Sequence, residues 1–330
     1  MQRIIAGDIG GTKTLLGLFN LAQGVKHPLL VQEFPSQKYD SLEAIIAEFL
    51  QQIQAKPVGA SLAVAGPVIM GRSRVTNLPW IIDSEAIARK TGLPRVHLLN
   101  DLQATAAAVP TLGAADLAVL RQGEPDPTGA IAVVAPGTGL GEAYLTWSGE
   151  RYIAHASEGG HSSFAPGSDD EVELLTYLYP KFGHLSCERV GSGSGIPNLY
   201  EFLRQSGRYS EPVWLKDELS HADDRTPIIV SNALAGRAEL CTATLDLFVR
   251  ILGSEVGNYA LNVFATGGIY LGGGIPPRIL HLLRQPDFLS AISQKGRLKV
   301  VLDRIPVFVI LDPEAALHGA AYEGLVSLEG

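Results

Sequence analysis

A chain of 330 residues that is 46% hydrophobic and 18% charged has room for about two domains and is too apolar for a disordered polymer. Its net charge of −8 offers no basic footprint for nucleic acid, although backbone N–H groups and magnesium can still neutralise an anionic nucleotide. Two cysteines, Cys187 and Cys241, exclude a disulfide framework and argue against a Cys-rich zinc site. Apolar runs such as Ala130–Ala135 fall far short of the ~20 residues of a membrane span. With no signal peptide ahead of the first strand, a cytoplasmic chain with reduced thiols is expected.

Residues 3–8 and 14–20 read as a β-hairpin, and residues 29–34 as a third strand. Leu42, Ile45, Ile46, Phe49, Leu50 and Ile53 recur at helical spacing, and Asp40 with Glu43 suggests a capping box at that helix's start. Residues 59–65 form a buried strand ending at Gly66-Pro67. Residues 84–91 form a short helix stopped by Gly92 and Pro94. A strand over 96–99 leads to Asn100-Asp101 and an Ala-rich helix over 102–109, ended by Pro110. The plan restarts near Thr128 with a second hairpin. Helices follow over 171–182, 196–205 and a long region of about 233–263. A short strand inside Gly267–Gly274, a strand over 306–311 and a terminal helix over 314–326 complete the chain. The restart predicts a duplicated α/β core, with a boundary among Pro110, Gly113, Pro125, Pro127 and Gly129. Whether the last strand and helix return to the first domain is open at this level.

Each half carries a glycine turn between two β-like runs. Asp8-Ile9-Gly10-Gly11-Thr12-Lys13-Thr14 is the first, and Gly137-Thr138-Gly139-Leu140-Gly141 the second. Alone, either is an ordinary hairpin turn in which glycine supplies unusual backbone angles. Together they suggest two N–H nests for one polyphosphate, hence a nucleotide-using enzyme. Asp8 suits a magnesium ion held through water, and Lys13 suits a phosphate cation. Neither turn is a Walker loop or a dinucleotide fingerprint.

Asp101 follows a strand and opens a helix, where an acid commonly caps the helix. The same strand end is where α/β proteins place ligands, so its carboxylate also suits a general base. Glu158 and His161 flank Gly159-Gly160, which puts them on a turn; with His155 they match no zinc signature. A surface loop is one reading, and a pair of partners for adjacent sugar hydroxyls is another. Glu188, by itself, reads as a solvated charge or a partner for Arg189. Gly267-Gly268 and Gly272-Gly273-Gly274 suit close backbone packing or a slot for a nucleobase.

In combination these segments resemble the bacterial-type glucokinase family, within the superfamily of sugar kinases, heat-shock chaperones and actin. The resemblance rests on Asp8-Ile9-Gly10-Gly11-Thr12, Asn100-Asp101, Gly137–Gly141, Glu158-Gly159-Gly160-His161, Glu188-Arg189-Val190 and Gly272-Gly273-Gly274-Ile275, and covers nearly the whole chain. It implies duplicated ribonuclease H-like (actin-like ATPase) domains with a deep cleft between them. The small one would span residues 1–111 plus about 312–330, and the large one 112–311.

The implied activity is phosphorylation of D-glucose at its 6-hydroxyl by ATP with Mg2+. Asp101 would be the base, and Asn100, Asp101, Glu158, His161 and Glu188 would bind glucose. Asp8, Gly10, Gly11, Thr12, Lys13, Gly137, Thr138, Gly139, Gly273 and Gly274 would bind nucleotide, with Asp8 at the metal. A homodimer is implied by analogy, with no nucleic-acid or membrane partner. Lys13 departs from the Asn of many members and is common in a related repressor and sugar-kinase group. That group usually carries a zinc-binding cysteine cluster, which two cysteines do not supply, and no stretch before Asp8 is long enough for a helix-turn-helix. The alternatives are a kinase for mannose, an N-acylhexosamine or fructose, a sugar-responsive regulator without turnover, and a sugar-independent ATPase.

Overall fold

The first half of the chain runs β1 (Arg3–Ile9), β2 (Lys13–Asn20), β3 (Leu30–Pro35), α1 (Leu42–Gln52), β4 (Ala60–Val64), β5 (Arg72–Arg74), β6 (Ile81–Asp83), α2 (Ser84–Thr91), β7 (Val96–Asn100) and α3 (Asp101–Ala108). These bounds come from a computed structural model that describes residues 2–54, 56–75 and 78–329. The first sheet has the order β3-β2-β1-β4-β7, with β1, β4 and β7 parallel. All five residues of β4 are buried, the pattern of a strand covered on both faces. One face packs Ile5, Ile9, Leu62 and Val64 against Ile45, Phe49 and Ile87 of α1 and α2. The other packs Ile4, Ala6, Ala63 and Leu99 against Ala104 and against Leu317, Ala320 and Ala321 of the C-terminal helix, Ala315–Glu329.

The second half supplies β8 (Leu117–Arg121), β9 (Ile131–Pro136), β10 (Leu140–Trp147), β11 (Tyr152–Ser157), β12 (Gly268–Leu271) and β13 (Val307–Ile310). Their sheet runs β11-β10-β9-β12-β13-β8. Its first five positions repeat the first sheet: third, second and first strands, then two later strands parallel to the first. β8 is added antiparallel on the far edge. Between β11 and β12 lie α4 (Asp169–Phe182), α5 (Glu188–Gly191), α6 (Ile196–Gln205), α7 (Val213–Ser220), α8 (Thr226–Leu234) and α9 (Glu239–Val263).

Backbone contacts divide the chain into two compact units. The first holds Met1–Asp116, Ala143–Ala156 and Asp312–Gly330, and the second Leu117–Glu142 and Ser157–Leu311. The end of the chain therefore splits: β13 belongs to the second sheet, and the helix after it to the first unit. A Cβ at Gly319 would land on the carbonyl oxygen of Ala104, so the C-terminal helix meets α3 backbone to backbone. Lys26 ties its entry down, with Nζ 2.6 Å from Asp312 and 3.1 Å from Asp116.

Three local expectations change. Ser41, not Asp40, caps α1, its hydroxyl accepting from Ala44 N–H at 3.3 Å. The long helical region starts at Glu239 rather than about 233: its first two residues close α8, and Gly236, at φ 62°, turns the chain before α9. The ribbon β5–β6, which lacks any strong periodicity in sequence, is an additional element paired from Arg72↔Asp83 to Arg74↔Ile81.

Candidate active site

The first glycine turn joins β1 to β2. Gly10 N–H donates to the Lys13 carbonyl at 2.9 Å, and Ser36 braces the loop by donating from its hydroxyl to Gly10 O and from its N–H to Thr12 O. Among the described residues, no backbone carbonyl accepts from the N–H groups of Gly11 or Thr12. Two successive unclaimed donors are the elements of an anion nest. Lys13 Nζ donates to Glu33 Oε2 at 3.1 Å, with both side chains more than half exposed. Such a surface pair is worth only about 0–1 kcal/mol, so the ammonium is readily transferred to a phosphate.

Asp8 lies one residue before the end of β1, and Asp101 just beyond β7. Register places Ile9 beside Val64 and Val64 beside Asn100, so both acids sit at the carboxyl ends of parallel strands, two strand spacings apart. That is the edge at which parallel sheets present ligands. Burial, then the Asp101 charge, raise the Asp8 carboxyl to about 6, against an opposing pull from Lys13. Asn100 is the cap of α3: its Oδ1 accepts from Leu102 N–H at 3.0 Å and Gln103 N–H at 3.2 Å. Its Nδ2 donates to Gly66 O at 3.1 Å. Asp101 is the first helical residue, with Oδ1 accepting from Leu102 N–H at 2.9 Å. The capping reading of Asp101 thus passes to its neighbour. Asn100, with its oxygen engaged twice, retains one amide N–H for any ligand.

In the second unit, Gly137-Thr138-Gly139 joins β9 to β10. Gly137 N–H donates to Gly139 O at 2.8 Å, and no backbone carbonyl among the described residues accepts from Thr138 or Gly139. Two further glycine turns dock on it. Gly193 N–H donates to Gly137 O and Ser194 N–H to Thr138 O, and a Cβ at Gly193 would lie 2.7 Å from Gly137 O. Gly272 N–H donates to Val134 O, and Gly273, at φ 81°, leaves only 2.8 Å between an added Cβ and Pro136 O. Gly274 has open space around it. Sequence reading left Gly193 and Ser194 without a role; the alternation of Gly and Ser over 191–195 was the available signal.

Glu158, His161 and Glu188 come together. His161 Nε2 lies 3.8 Å from Glu158 Oε2, and its Nδ1 lies 4.0 Å from Glu188 Oε1. The 3-10 turn Gly159–His161 carries the histidine, and Cys187 N–H donates to Ser162 O at 3.0 Å, joining that turn to the start of α5. Glu188 Oε2 accepts from Leu140 N–H at 3.0 Å, leaving Oε1 for other partners. A Cβ at Gly139 would meet Glu188 Oε2, and one at Gly160 the carbonyl of Leu140. The glycines of both motifs are therefore spaces that the acids and strand β10 occupy. Two carboxylates around an imidazole supply acceptors and a donor for neighbouring hydroxyls.

A strand order repeated in both sheets, each with a glycine turn in the hairpin at its core, defines a duplicated ribonuclease H-like protein of the actin-like ATPase class, the class of the sugar kinases. Within it the chain belongs to the glucokinase family, whose model matches residues 5–324. It is 37% identical to a glucokinase of Nostoc punctiforme, covering 97% of this chain and 98% of that one. It is 38% identical to a glucokinase of Synechocystis, covering 96% of each. Among solved structures, it resembles a glucokinase from an Antarctic psychrotroph at 33% identity and a TM-score of 0.84, over 98% of both chains.

Proposed function

We propose that this protein is an ATP-dependent glucokinase that transfers the γ-phosphoryl group to the 6-hydroxyl of D-glucose, with Asp101 as the general base. The observation that carries this reading is the division of labour at Asn100-Asp101. Asn100 is the cap of the helix, and Asp101 opens it with its carboxylate at the sheet's ligand-binding edge, 2.9 Å from Leu102 N–H. Asp101 takes the proton of the 6-hydroxyl as that oxygen attacks phosphorus in line, and ADP leaves. Such transfers depend on positioning and charge neutralisation more than on covalent help.

The N–H groups of Gly11, Thr12, Thr138 and Gly139 hold phosphate oxygens, and Lys13 adds a cation. Gly273 and Gly274 line the nucleoside. Glu158, His161, Glu188 and the remaining amide N–H of Asn100 hold glucose hydroxyls. Because a stranded buried polar group costs about 1–3 kcal/mol, this set rejects an epimer with a misplaced hydroxyl.

The residues also fit a magnesium ion bound with the nucleotide. Asp8 is a partly buried carboxyl with a second acid nearby, an electrostatic setting that a cation relieves. Among the described residues no group of three His, Cys, Asp or Glu forms a metal cage, which suits an ion carried chiefly by phosphate and water. Bound with the nucleotide, magnesium would supply charge neutralisation on the phosphates, and Asp8 would hold it through water. We place the protein in the cytoplasm as a homodimer on family grounds; among the described residues no helix is long and apolar enough to cross a membrane.

A matrix of donors (ATP, ADP, polyphosphate) against sugars (glucose, mannose, N-acetylglucosamine, fructose), with magnesium present, tests the reading. ATP with glucose should give the highest kcat/KM. Preference for another sugar overturns the substrate, and sugar-independent hydrolysis at a comparable rate overturns the kinase.

A further inference from the structure

Glu142 stands on β10 and is 1% exposed; Glu255 stands on α9 and is 8% exposed. Neither belongs to the hydroxyl-binding set above. Glu255 has partners for a charge: Asn258 Nδ2 donates to its Oε2 at 3.0 Å, and it attracts the Lys295 ammonium, itself 3.0 Å from Ser254 Oγ. Glu142 has none. Among the described residues neither of its oxygens accepts a hydrogen bond, the setting of a neutral acid rather than an anion. A protonated carboxyl gains one O–H donor, and Glu255 is the acceptor beside it.

The pair lies directly beneath the sugar-binding turn. A Cβ at Gly159 would fall on Glu142 Oε2, so this carboxyl is the floor on which the Gly159–His161 turn rests. The Cys187 thiol, one residue before Glu188, faces the same two acids, and burial and Glu255 push its titration up. Leu140, two residues before Glu142 on the same strand, contacts Glu188 through its N–H and Gly160 through its carbonyl.

We propose that Glu142 is a positioning residue for glucose: as a neutral acid it donates to Glu255, and this hydrogen-bonded pair holds the turn that carries Glu158 and His161. The inference rests on the proposed glucose site. Two adjacent buried anions are strongly disfavoured, because each loses its hydration and they repel. Burial first, and then Glu255, raise Glu142 to about 8. The charged and titratable groups facing the pair are Cys187, which stays neutral, and Lys295, which Glu171 also attracts. Lys295 attracts Glu255, the acceptor of the pair. Glu142 is then neutral below about 8 and ionised above it, so the turn loosens as pH rises.

The test is steady-state kinetics from pH 6.5 to 9.5 on the full-length wild type, Glu142→Gln and Glu142→Ala, with thermal melting of each across the same range. With one competent protonation state and a titration near 8, the wild-type KM for glucose should rise about tenfold by pH 9, while KM for ATP does not follow that titration. Glu142→Gln, a permanent neutral donor, should keep the low KM at pH 7 and abolish the rise. Glu142→Ala should raise KM for glucose at every pH. The wild-type melting midpoint should fall from pH 6.5 to about 8 and level off above it, and that of Glu142→Gln should not follow this titration, a readout independent of any sugar.

An alkaline rise in KM that survives in Glu142→Gln overturns the proposal, as does a Glu142→Gln KM at pH 7 as high as that of Glu142→Ala. A melting difference without a KM difference also overturns the positioning role. Absence of glucose phosphorylation in the wild type would instead refute the proposed function, leaving the melting arm to judge the shared proton.

Discussion

Replacing Asp101 by Asn separates catalysis from folding because the structure assigns the cap to Asn100. An amide oxygen at position 101 can still accept from Leu102 N–H, so the 2.9 Å bond survives. The substitution removes a negative charge from the first turn of α3, which costs about 0.3–1 kcal/mol through the helix dipole. It also removes the charge that helps to raise Asp8. These effects oppose each other, and net stability should change by less than about 1 kcal/mol, a shift of no more than ~2–4 °C in melting midpoint for a chain of this size. Loss of a general base should lower turnover ~10²–10⁴-fold, about 2.7–5.5 kcal/mol of barrier. KM for glucose should stay close to wild type. The assay is coupled detection of ADP, with the midpoint read from circular dichroism. A folded Asp101→Asn protein with near-normal turnover would leave Asp101 without a chemical role, and a fall of 10 °C would return it to a structural one.

Three further outcomes follow from local geometry. Asp8→Asn should cost activity yet raise stability. Because the folded carboxyl titrates at about 6 rather than 3.8, the native state holds a proton that the unfolded chain has lost between those values. Stability therefore drains away as pH rises through that window, and the mutant's advantage should grow from pH 4 to 6, then level at roughly 1–3 kcal/mol. An advantage that shrinks with rising pH contradicts this sign. Gly319→Ala should destabilise by ~1–3 kcal/mol in urea titration, since its methyl meets the Ala104 carbonyl of α3, whose backbone has little freedom to retreat. Wild-type stability in this variant would show that the helices separate without cost. Gly160→Ala drives the turn away from Leu140 O and should raise KM for glucose at least ~10-fold with KM for ATP nearly unchanged; an equal rise in both would uncouple this turn from the sugar.

Strand and helix order was legible because buried strands and amphipathic helices leave short-range periodicity. The helix at residues 196–205 and the Gly92 stop, at φ 73°, appear where pattern and capping chemistry place them. Asp8, Asn100-Asp101 and the paired glycine turns were legible too, as short motifs at strand ends. What the sequence could not allot was work between neighbours. Asp40 and Ser41 are both good caps, as are Asn100 and Asp101, and only the path of the chain into each helix selects Ser41 and Asn100.

By itself, then, the sequence determined the local elements, the repeated turn and the family. The tertiary structure decided which distant groups share one space: Gly319 against Ala104, Gly193 and Gly273 against the Gly137 turn, Glu142 against Glu255. Periodicity reports which face of an element is buried, whereas the identity of the neighbour depends on how separate elements cross. The ionisation of a buried acid depends on that neighbour.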